Sequence, residues 1–191
     1  NVHISDGNGC TFDTSVTITQ PAILNSSFTN ISLAPSGTNI RCNGDTTGRV
    51  KIIPTGGTTP YTYLWSNTVT IDSIKNVPAG TYIAHVTDFN GCTFSDTIIL
   101  TQPTVLDDTL RVRHVGCKGE PSGGIRAVTF GGSPLYTYVW SHGAFTTDTV
   151  GKLFAGFYQV TVTDTNNCQV TDTVTILEPD TLVPLILPAT Y

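Results

Sequence analysis

Residues 56–66 read GGTTPYTYLWS, and nearly the same segment returns as GGSPLYTYVWS at residues 131–141. A second segment, AGTYIAHVTDFNGC at residues 79–92, returns as AGFYQVTVTDTNNC at residues 155–168. A segment similar to its last five residues, DGNGC, also occurs near the start of the chain, at residues 6–10. Similarity at a fixed period is typical of tandem copies of one small domain.

The spacing between cysteine and proline marks the boundaries of the copies. In each copy the last Cys is followed eleven residues later by Pro, at Pro21, Pro103 and Pro179. No Gly/Ser-rich tether follows, and Pro restricts both its own backbone and the residue before it. We therefore expect semi-rigid joints and an elongated rod. The predicted units are the end of a preceding repeat (1–22), two whole repeats (23–103 and 104–179) and the start of a following repeat (180–191).

Period-2 alternation predicts that the repeats consist of β-strands. Val50 and Ile52 share one face of a predicted strand, while Arg49 and Lys51 share the other. The chain contains 34 Thr and 17 Val, and no segment has a convincing helical period. Six or seven short strands in about 76 residues, with Gly-Gly, Asn-Gly and Pro turns, indicate an all-β fold of tandem immunoglobulin-like β-sandwiches. The expected core anchors are Trp65, Trp140, Tyr82 and Tyr158.

Composition excludes two classes of protein. A net charge of −5 with only nine basic residues argues against a nucleic-acid-binding surface. The most apolar stretch, residues 182–189, is too short for a membrane helix and contains Pro184 and Pro188. The absence of Met leads us to expect an internal or processed piece of a longer protein.

Each whole repeat contains two cysteines, and their spacing is nearly the same in both, from Cys42 to Cys92 and from Cys117 to Cys168. If six strands alternate in direction, the loop after the first strand and the loop before the last lie at the same end. This favours the pairs Cys42–Cys92 and Cys117–Cys168, with the partner of Cys10 outside the sequence. The alternative joins neighbouring repeats through Cys10–Cys42 and Cys92–Cys117, leaving Cys168 unpaired. Repeated disulfides indicate an oxidising, extracellular setting.

The sequence shows no constellation for catalysis or cofactor binding. The four His residues are scattered, and no nucleophile–base pair, P-loop or zinc spacing occurs. We therefore expect no enzyme activity and no cofactor. The Asp-x-Asn-Gly turns are similar to a calcium loop, but no acidic cluster supplies the six oxygens that calcium needs. We interpret them as hairpin turns, with calcium as the alternative. Tyr61, Tyr63, Tyr136 and Tyr138 share the Trp face, which favours packing over a sugar-stacking platform.

The combined motif, GGxxxYTYxWS followed by AGxYxxxVTDxNxC, resembles the SprB repeat and, more distantly, PKD-type sandwich domains. The resemblance covers both whole repeats and the end of the preceding one. It implies a giant adhesin on the surface of a Bacteroidota bacterium, exported by the type IX secretion system. A well-known member of this family acts in gliding motility, and its repeats serve mainly as stalk.

Many exported proteins of Bacteroidota are O-glycosylated at Asp-Ser/Thr followed by an aliphatic residue or Thr. About one such match is expected from composition, and seven occur, although repetition and strand propensity also favour the pattern. The candidate acceptor residues are Thr46, Ser73, Thr97, Thr109, Thr149, Thr173 and Thr181.

The sequence thus predicts stalk repeats of a large extracellular adhesin whose partners are neighbouring repeats of the same chain. Surface polysaccharide and other cell-surface proteins are further candidate partners. Three alternatives remain open: carbohydrate- or surface-binding modules, accessory domains of a larger exported enzyme, and subunits of an extracellular filament.

Overall fold

The computed structural model describes residues 1–29 and 31–181. These residues form fourteen β-strands and no helix, so none of them belongs to a helix able to cross a bilayer. The predicted all-β fold class is therefore confirmed. An exposed hairpin, β1 (Val2–Ser5) with β2 (Thr11–Thr14), precedes two separate β-sandwiches. Of the predicted following repeat, residues 182–191 lie outside the described residues.

The first sandwich lies between residues 25 and 100 and contains two three-stranded sheets. One sheet has the order β3–β4–β6 and the other the order β5–β7–β8, and every pairing is antiparallel. The strands are β3 (Asn25–Thr29), β4 (Gly48–Thr55), β5 (Thr62–Trp65), β6 (Ser73–Val77), β7 (Gly80–Thr87) and β8 (Thr93–Leu100).

The second sandwich, between residues 104 and 176, repeats this topology. Its sheets have the orders β9–β10–β12 and β11–β13–β14, again with antiparallel pairing. Two antiparallel sheets enclosing one core are the architecture of an immunoglobulin-like sandwich. The strands are β9 (Thr104–Arg113), β10 (Gly123–Gly132), β11 (Thr137–Trp140), β12 (Thr149–Leu153), β13 (Gly156–Thr163) and β14 (Gln169–Ile176).

Each sandwich has its own hydrophobic core, built around one Trp. Trp65 is 1% exposed and Trp140 is 4% exposed, and Tyr82 and Tyr158 lie in the same two cores. The indole N–H of each Trp and the hydroxyl of each Tyr donate to a backbone carbonyl of the same sandwich. These bonds satisfy the polar atoms that burial removes from water.

The two ends of each sandwich carry different loops. In the first sandwich the backbone N–H of Ile40 donates to Thr101 O, so the β3–β4 connection lies beside the end of β8. We name this the upper end. The backbone N–H of Thr58 donates to Asp88 Oδ2, which places the β4–β5 loop beside the β7–β8 turn. We name this the lower end; the second sandwich has the same two ends.

The Gly-Gly pair of the repeat motif lies at the lower end, where the chain enters each sandwich. Gly131 and Gly132 have φ of +73° and +55°, in the left-handed region that side chains disfavour. A Cβ atom on Gly131 would also collide with the carbonyl oxygen of Val105 on the entering strand β9. Gly56 has the same relation to the carbonyl of Ile23, so the motif is required for chain entry in both repeats.

Candidate inter-repeat interface

The upper end of the first sandwich meets the lower end of the second. The connection between them is short, because β8 ends at Leu100 and β9 begins at Thr104. The Asn43 side-chain amide donates to Pro103 O at 2.9 Å, and the Gly44 N–H donates to Gln102 Oε1 at 2.9 Å. The loop after β3 therefore holds the connection in place.

Asn166 of the second repeat is the central polar residue of the contact and is 1% exposed. Its Nδ2 lies 2.8 Å from Ser133 Oγ in its own repeat. The same nitrogen lies 2.8 Å from Arg41 O and 2.9 Å from Ser36 Oγ, both in the first repeat. Its Oδ1 accepts the Ser36 N–H at 3.3 Å. One buried amide thus ties the two sandwiches together.

Ser36 belongs to a turn that only the first whole repeat has. The lead from Pro21 to Cys42 in the first repeat is longer than the lead from Pro103 to Cys117 in the second. The backbone N–H of Ala34 donates to Thr38 O, and that of Gly37 donates to Ala34 O, which closes the turn. The additional residues therefore form part of the contact with Asn166.

A disulfide crosses the same interface. Cys42, in the upper-end loop of the first repeat, is bonded to Cys168, in the lower-end turn of the second. The two Cα atoms are 5.7 Å apart, and the residues are 126 positions apart in the chain. The two sandwiches are thus joined by the backbone connection and by a second covalent bond.

This bond corrects the predicted pairs Cys42–Cys92 and Cys117–Cys168. Within one repeat the two cysteines lie at opposite ends, separated by strands of about eight residues, or roughly 26 Å. Cys10, Cys92 and Cys117 are free and exposed, so the alternative pairs Cys10–Cys42 and Cys92–Cys117 are not formed either.

The error arose from the assumption that all six strands alternate in direction. Strand β5 pairs antiparallel with β7. Strand β6 ends at the upper end, where β7 begins, so it also runs opposite to β7. Strands β5 and β6 therefore run in the same direction. As a result the β7–β8 turn lies at the lower end of the sandwich, whereas strict alternation would place it at the upper end.

A buried aspartate shapes the lower-end turn of each repeat. Asp164 accepts the N–H groups of Ser133, Asn166 and Cys168 at 2.8–2.9 Å. Asp88 accepts equivalent bonds in the first repeat. Burial alone would raise the pKa of Asp88, but the backbone N–H groups that it accepts outweigh burial and hold the pKa below its ordinary value. The carboxylates thus organise the turn by accepting N–H bonds. Among the described residues no group of three or more His, Cys, Asp or Glu is arranged to hold a metal ion.

A second aspartate of the second repeat, Asp108 on β9, is buried, and its carboxylate oxygens have no hydrogen-bond partner among the described residues. Burial, followed by the charges of Asp172 and Asp107, raises its pKa. The first repeat has Ser26 at this position, and its hydroxyl donates to Asp96 at 3.2 Å. Because a buried carboxylate without a partner disfavours its charged form, we expect Asp108 to destabilise the second repeat at neutral pH.

The remaining predicted positions fall on the surface or on the cores. Of the candidate O-glycosylation residues, six are exposed and Ser73 is half-buried; modification itself stays a prediction. Tyr61 and Tyr136 are half-buried and donate their hydroxyls to Gly56 O and Gly131 O, so they pack within the sandwiches.

Sequence reasoning missed the contribution of Asn166 and Ser36. The Asn is present in all three copies of the Asp-x-Asn-x-Cys turn, at positions 8, 90 and 166, which was a signal for a shared contact. The longer lead of the first repeat was the signal for Ser36.

Comparisons with known proteins bear on both repeats. The family model of the SprB repeat matches residues 34–70 and 113–145, which confirms the resemblance seen in the sequence. A similar solved structure is the crystal structure of Down Syndrome Cell Adhesion Molecule isoform 1.30.30, N-terminal eight Ig domains. The identity is 12% and the TM-score 0.41, over 82% of this chain and 25% of that chain. A search of curated proteins finds no match.

Proposed function

Because two segments of the chain match the SprB repeat, we propose that it forms part of the stalk of a large secreted adhesin on a Bacteroidota cell surface. In this role the repeats support surface attachment or gliding motility rather than catalysis. The observation that carries the proposal is the Cys42–Cys168 bond across the joint between repeats. A stalk transmits load from one repeat to the next, and a covalent bond at the joint suits that role.

The bond would limit how far the chain extends under force. The 126-residue separation includes most strands of both sandwiches, from β4 to β13. At roughly 3.6 Å per extended residue, the bond withholds about 450 Å of chain from extension. Force passing through the oxidised chain would therefore reach the next repeat through the disulfide even after a core opens.

Single-molecule pulling on residues 1–191 tests this mechanical role. With the disulfide intact we expect total extension to be about 450 Å shorter than after reduction. The Cys92→Ser/Cys117→Ser variant is the matched control, because both residues are exposed and free, and it should behave as the native oxidised chain. Equal extension in oxidised and reduced chains would contradict the proposal.

The cellular role is tested by removing whole repeats from the host protein while leaving its other parts intact. A stalk predicts that attachment falls in steps as the protein shortens, while the purified chain binds no surface itself. Surface attachment that does not depend on repeat number would contradict the stalk role.

A second candidate function, binding of an anionic polysaccharide, is favoured by a basic face on each repeat. Although the chain is acidic overall, seven of its nine Lys and Arg residues lie, exposed or half-buried, on strands of the β3–β4–β6 and β9–β10–β12 sheets. Among the described residues, two of these seven form ion pairs, Lys51 with Asp72 and Arg126 with Asp148. The seven are Arg49, Lys51, Lys75, Arg111, Arg113, Arg126 and Lys152.

Binding to alginate and dextran sulfate distinguishes the two functions. A binding module predicts salt-sensitive retention that falls in an Arg111→Ser/Arg113→Ser variant. A stalk without ligand predicts no retention at physiological salt by either protein. Lys118→Ser is the control, since Lys118 lies in the upper-end loop rather than on a strand of the basic face.

O-glycosylation of the exposed Asp-Ser/Thr sites forms part of the proposal, because glycans would protect an exported stalk. Intact mass of the chain isolated from its native host tests it. We expect a mass above that of the polypeptide; the bare polypeptide mass would refute it.

A further inference from the structure

Two exposed thiols lie at the two outer ends of the joined repeats. Cys92 is in the lower-end turn of the first repeat, at the position that Cys168 occupies in the second. Cys117 is in the upper-end loop of the second repeat, at the position that Cys42 occupies in the first. Each free thiol is thus the counterpart of one half of the disulfide that joins the repeats.

The lower end of the first repeat has the same local structure as the joined lower end of the second. Asp88 accepts the N–H groups of Cys92 and Thr58, as Asp164 does from the equivalent residues. Asn90 Nδ2 donates to Thr58 Oγ1 at 2.9 Å, which corresponds to the bond between Asn166 and Ser133. Asn166 is buried because a neighbouring repeat covers it, whereas Asn90 is exposed.

The upper end of the second repeat likewise matches the joined upper end of the first. The Gly119 N–H donates to Glu178 Oε2 at 3.1 Å, as the Gly44 N–H does to Gln102 Oε1. The Gly116 N–H donates to Ser122 Oγ, the counterpart of the bond from Arg41 to Thr47. The loop is thus already in the conformation that presents a carbonyl and a cysteine to a neighbour, although it lacks the Ser36 turn.

We propose that each outer end binds a further repeat of the same kind in the same polypeptide and is closed by the same disulfide. Cys117 would bond to the lower-end cysteine of the following repeat, and Cys92 to the upper-end cysteine of the preceding repeat. The inference deepens the proposed stalk function and rests on it, since it requires a longer array. Every joint of the array would then contain one disulfide, which links a repeat to its neighbour and never to itself.

The bond forms by oxidation of two thiols to one disulfide. The pair loses two electrons and two protons, which pass to an oxidised dithiol–disulfide carrier of the export compartment, and that carrier is reduced to its dithiol. Cys92 and Cys117 cannot form this bond with each other, because they lie at the two ends of the joined sandwiches that face away from the interface.

The first test maps the thiols of the chain as it stands. Residues 1–191 are folded in a glutathione redox buffer, alkylated with N-ethylmaleimide and analysed as peptides under non-reducing conditions. We expect Cys42 linked to Cys168, with Cys92 and Cys117 alkylated. Linkage of Cys42 to Cys92, or of Cys117 to Cys168, would overturn the inference.

The second test adds a neighbour. A second copy of residues 104–181 is attached after Pro179, so that the new joint reads Glu-Pro-Thr like the Gln102-Pro103-Thr104 joint. We expect the Cys117 of the original repeat to become protected from alkylation and to be linked to the Cys168 of the added copy. In a variant of this extended chain that carries Cys117→Ser in the original repeat alone, the Cys168 of the added copy should be alkylated.

The same extended chain separates failure of the bond from failure of the stalk. The inference is overturned if the Cys117 of the original repeat is alkylated while the fluorescence of Trp140 in the added copy shows that this copy is folded. If small-angle scattering then shows a particle longer by one repeat, the stalk function stands without the bond. If scattering shows a compact particle, the stalk function fails too.

Discussion

Removal of the disulfide across the joint should lower the stability of the chain by a large and calculable amount. The perturbation is the double variant Cys42→Ser/Cys168→Ser, which leaves no unpaired thiol at the interface. The bond closes a loop of 126 residues, and the chain-entropy relation assigns such a loop about 5 kcal/mol. With a urea m-value of about 2 kcal/mol/M, the unfolding midpoint should fall by about 2.5 M.

Urea unfolding followed by Trp fluorescence measures this loss repeat by repeat, because each core contains a single Trp. Trp65→Phe and Trp140→Phe backgrounds report the second and first repeats, respectively. The matched control is Cys92→Ser/Cys117→Ser, which changes the equivalent but unpaired residues and should leave the midpoint unchanged. Equal midpoints for the native oxidised chain and the Cys42→Ser/Cys168→Ser variant would refute the reasoning.

Three further substitutions probe the interface and the second repeat. Asn166→Ala removes the buried hydrogen bonds across the joint and should lower the free energy of unfolding by about 2–3 kcal/mol, measured in urea. Asn90→Ala, at the exposed equivalent position, should lower it by less than about 0.5 kcal/mol. Equal losses in the two variants would contradict the role assigned to Asn166. Asp108→Ser should stabilise the second repeat by about 1–2 kcal/mol at pH 7. Burial, followed by the charge of neighbouring carboxylates, raises the pKa of Asp108, so its favourable contribution is complete below the ordinary value of 3.8 and is lost as pH rises through the raised pKa. The gain from Ser should therefore grow with pH above about 4 in unfolding curves, and a gain independent of pH would count against this cause. Gly131→Ala should lower the free energy of unfolding by about 3 kcal/mol, because Gly131 has a left-handed backbone and an added Cβ atom would collide with the entering strand. Gly151→Ala is the control: its Cβ atom would meet nothing within 4 Å, so a thermal melt should show almost no change.

The fold could be predicted because it depends on local patterns that recur. Alternation placed Val50 and Ile52 inward, and both are 1% exposed. The recurring Gly-Gly, Trp and Asp-x-Asn-x-Cys motifs lie at equivalent positions of the two sandwiches, as a tandem repeat requires. Two SprB matches at corresponding places confirm the family resemblance.

The disulfide pairing could not be read from spacing, because it depends on strand direction. The spacing of the two cysteines within a repeat is compatible with any topology that brings their two loops together. One short strand, β5 (Thr62–Trp65), is followed by a connection that returns across the sandwich, and this moves Cys92 to the end opposite Cys42. Asn166 was missed for a similar reason, since its partners Ser36 and Arg41 lie far away in the sequence, in another repeat.

Small-angle X-ray scattering on the oxidised chain tests most directly the central claim that the repeats join end to end. Two sandwiches of about 40 Å each, placed end to end, give a radius of gyration of about 25 Å. A compact particle of 191 residues would give about 16 Å. We predict the larger value and a pair-distance distribution with a long tail; the smaller value would contradict the end-to-end arrangement and the stalk function built on it.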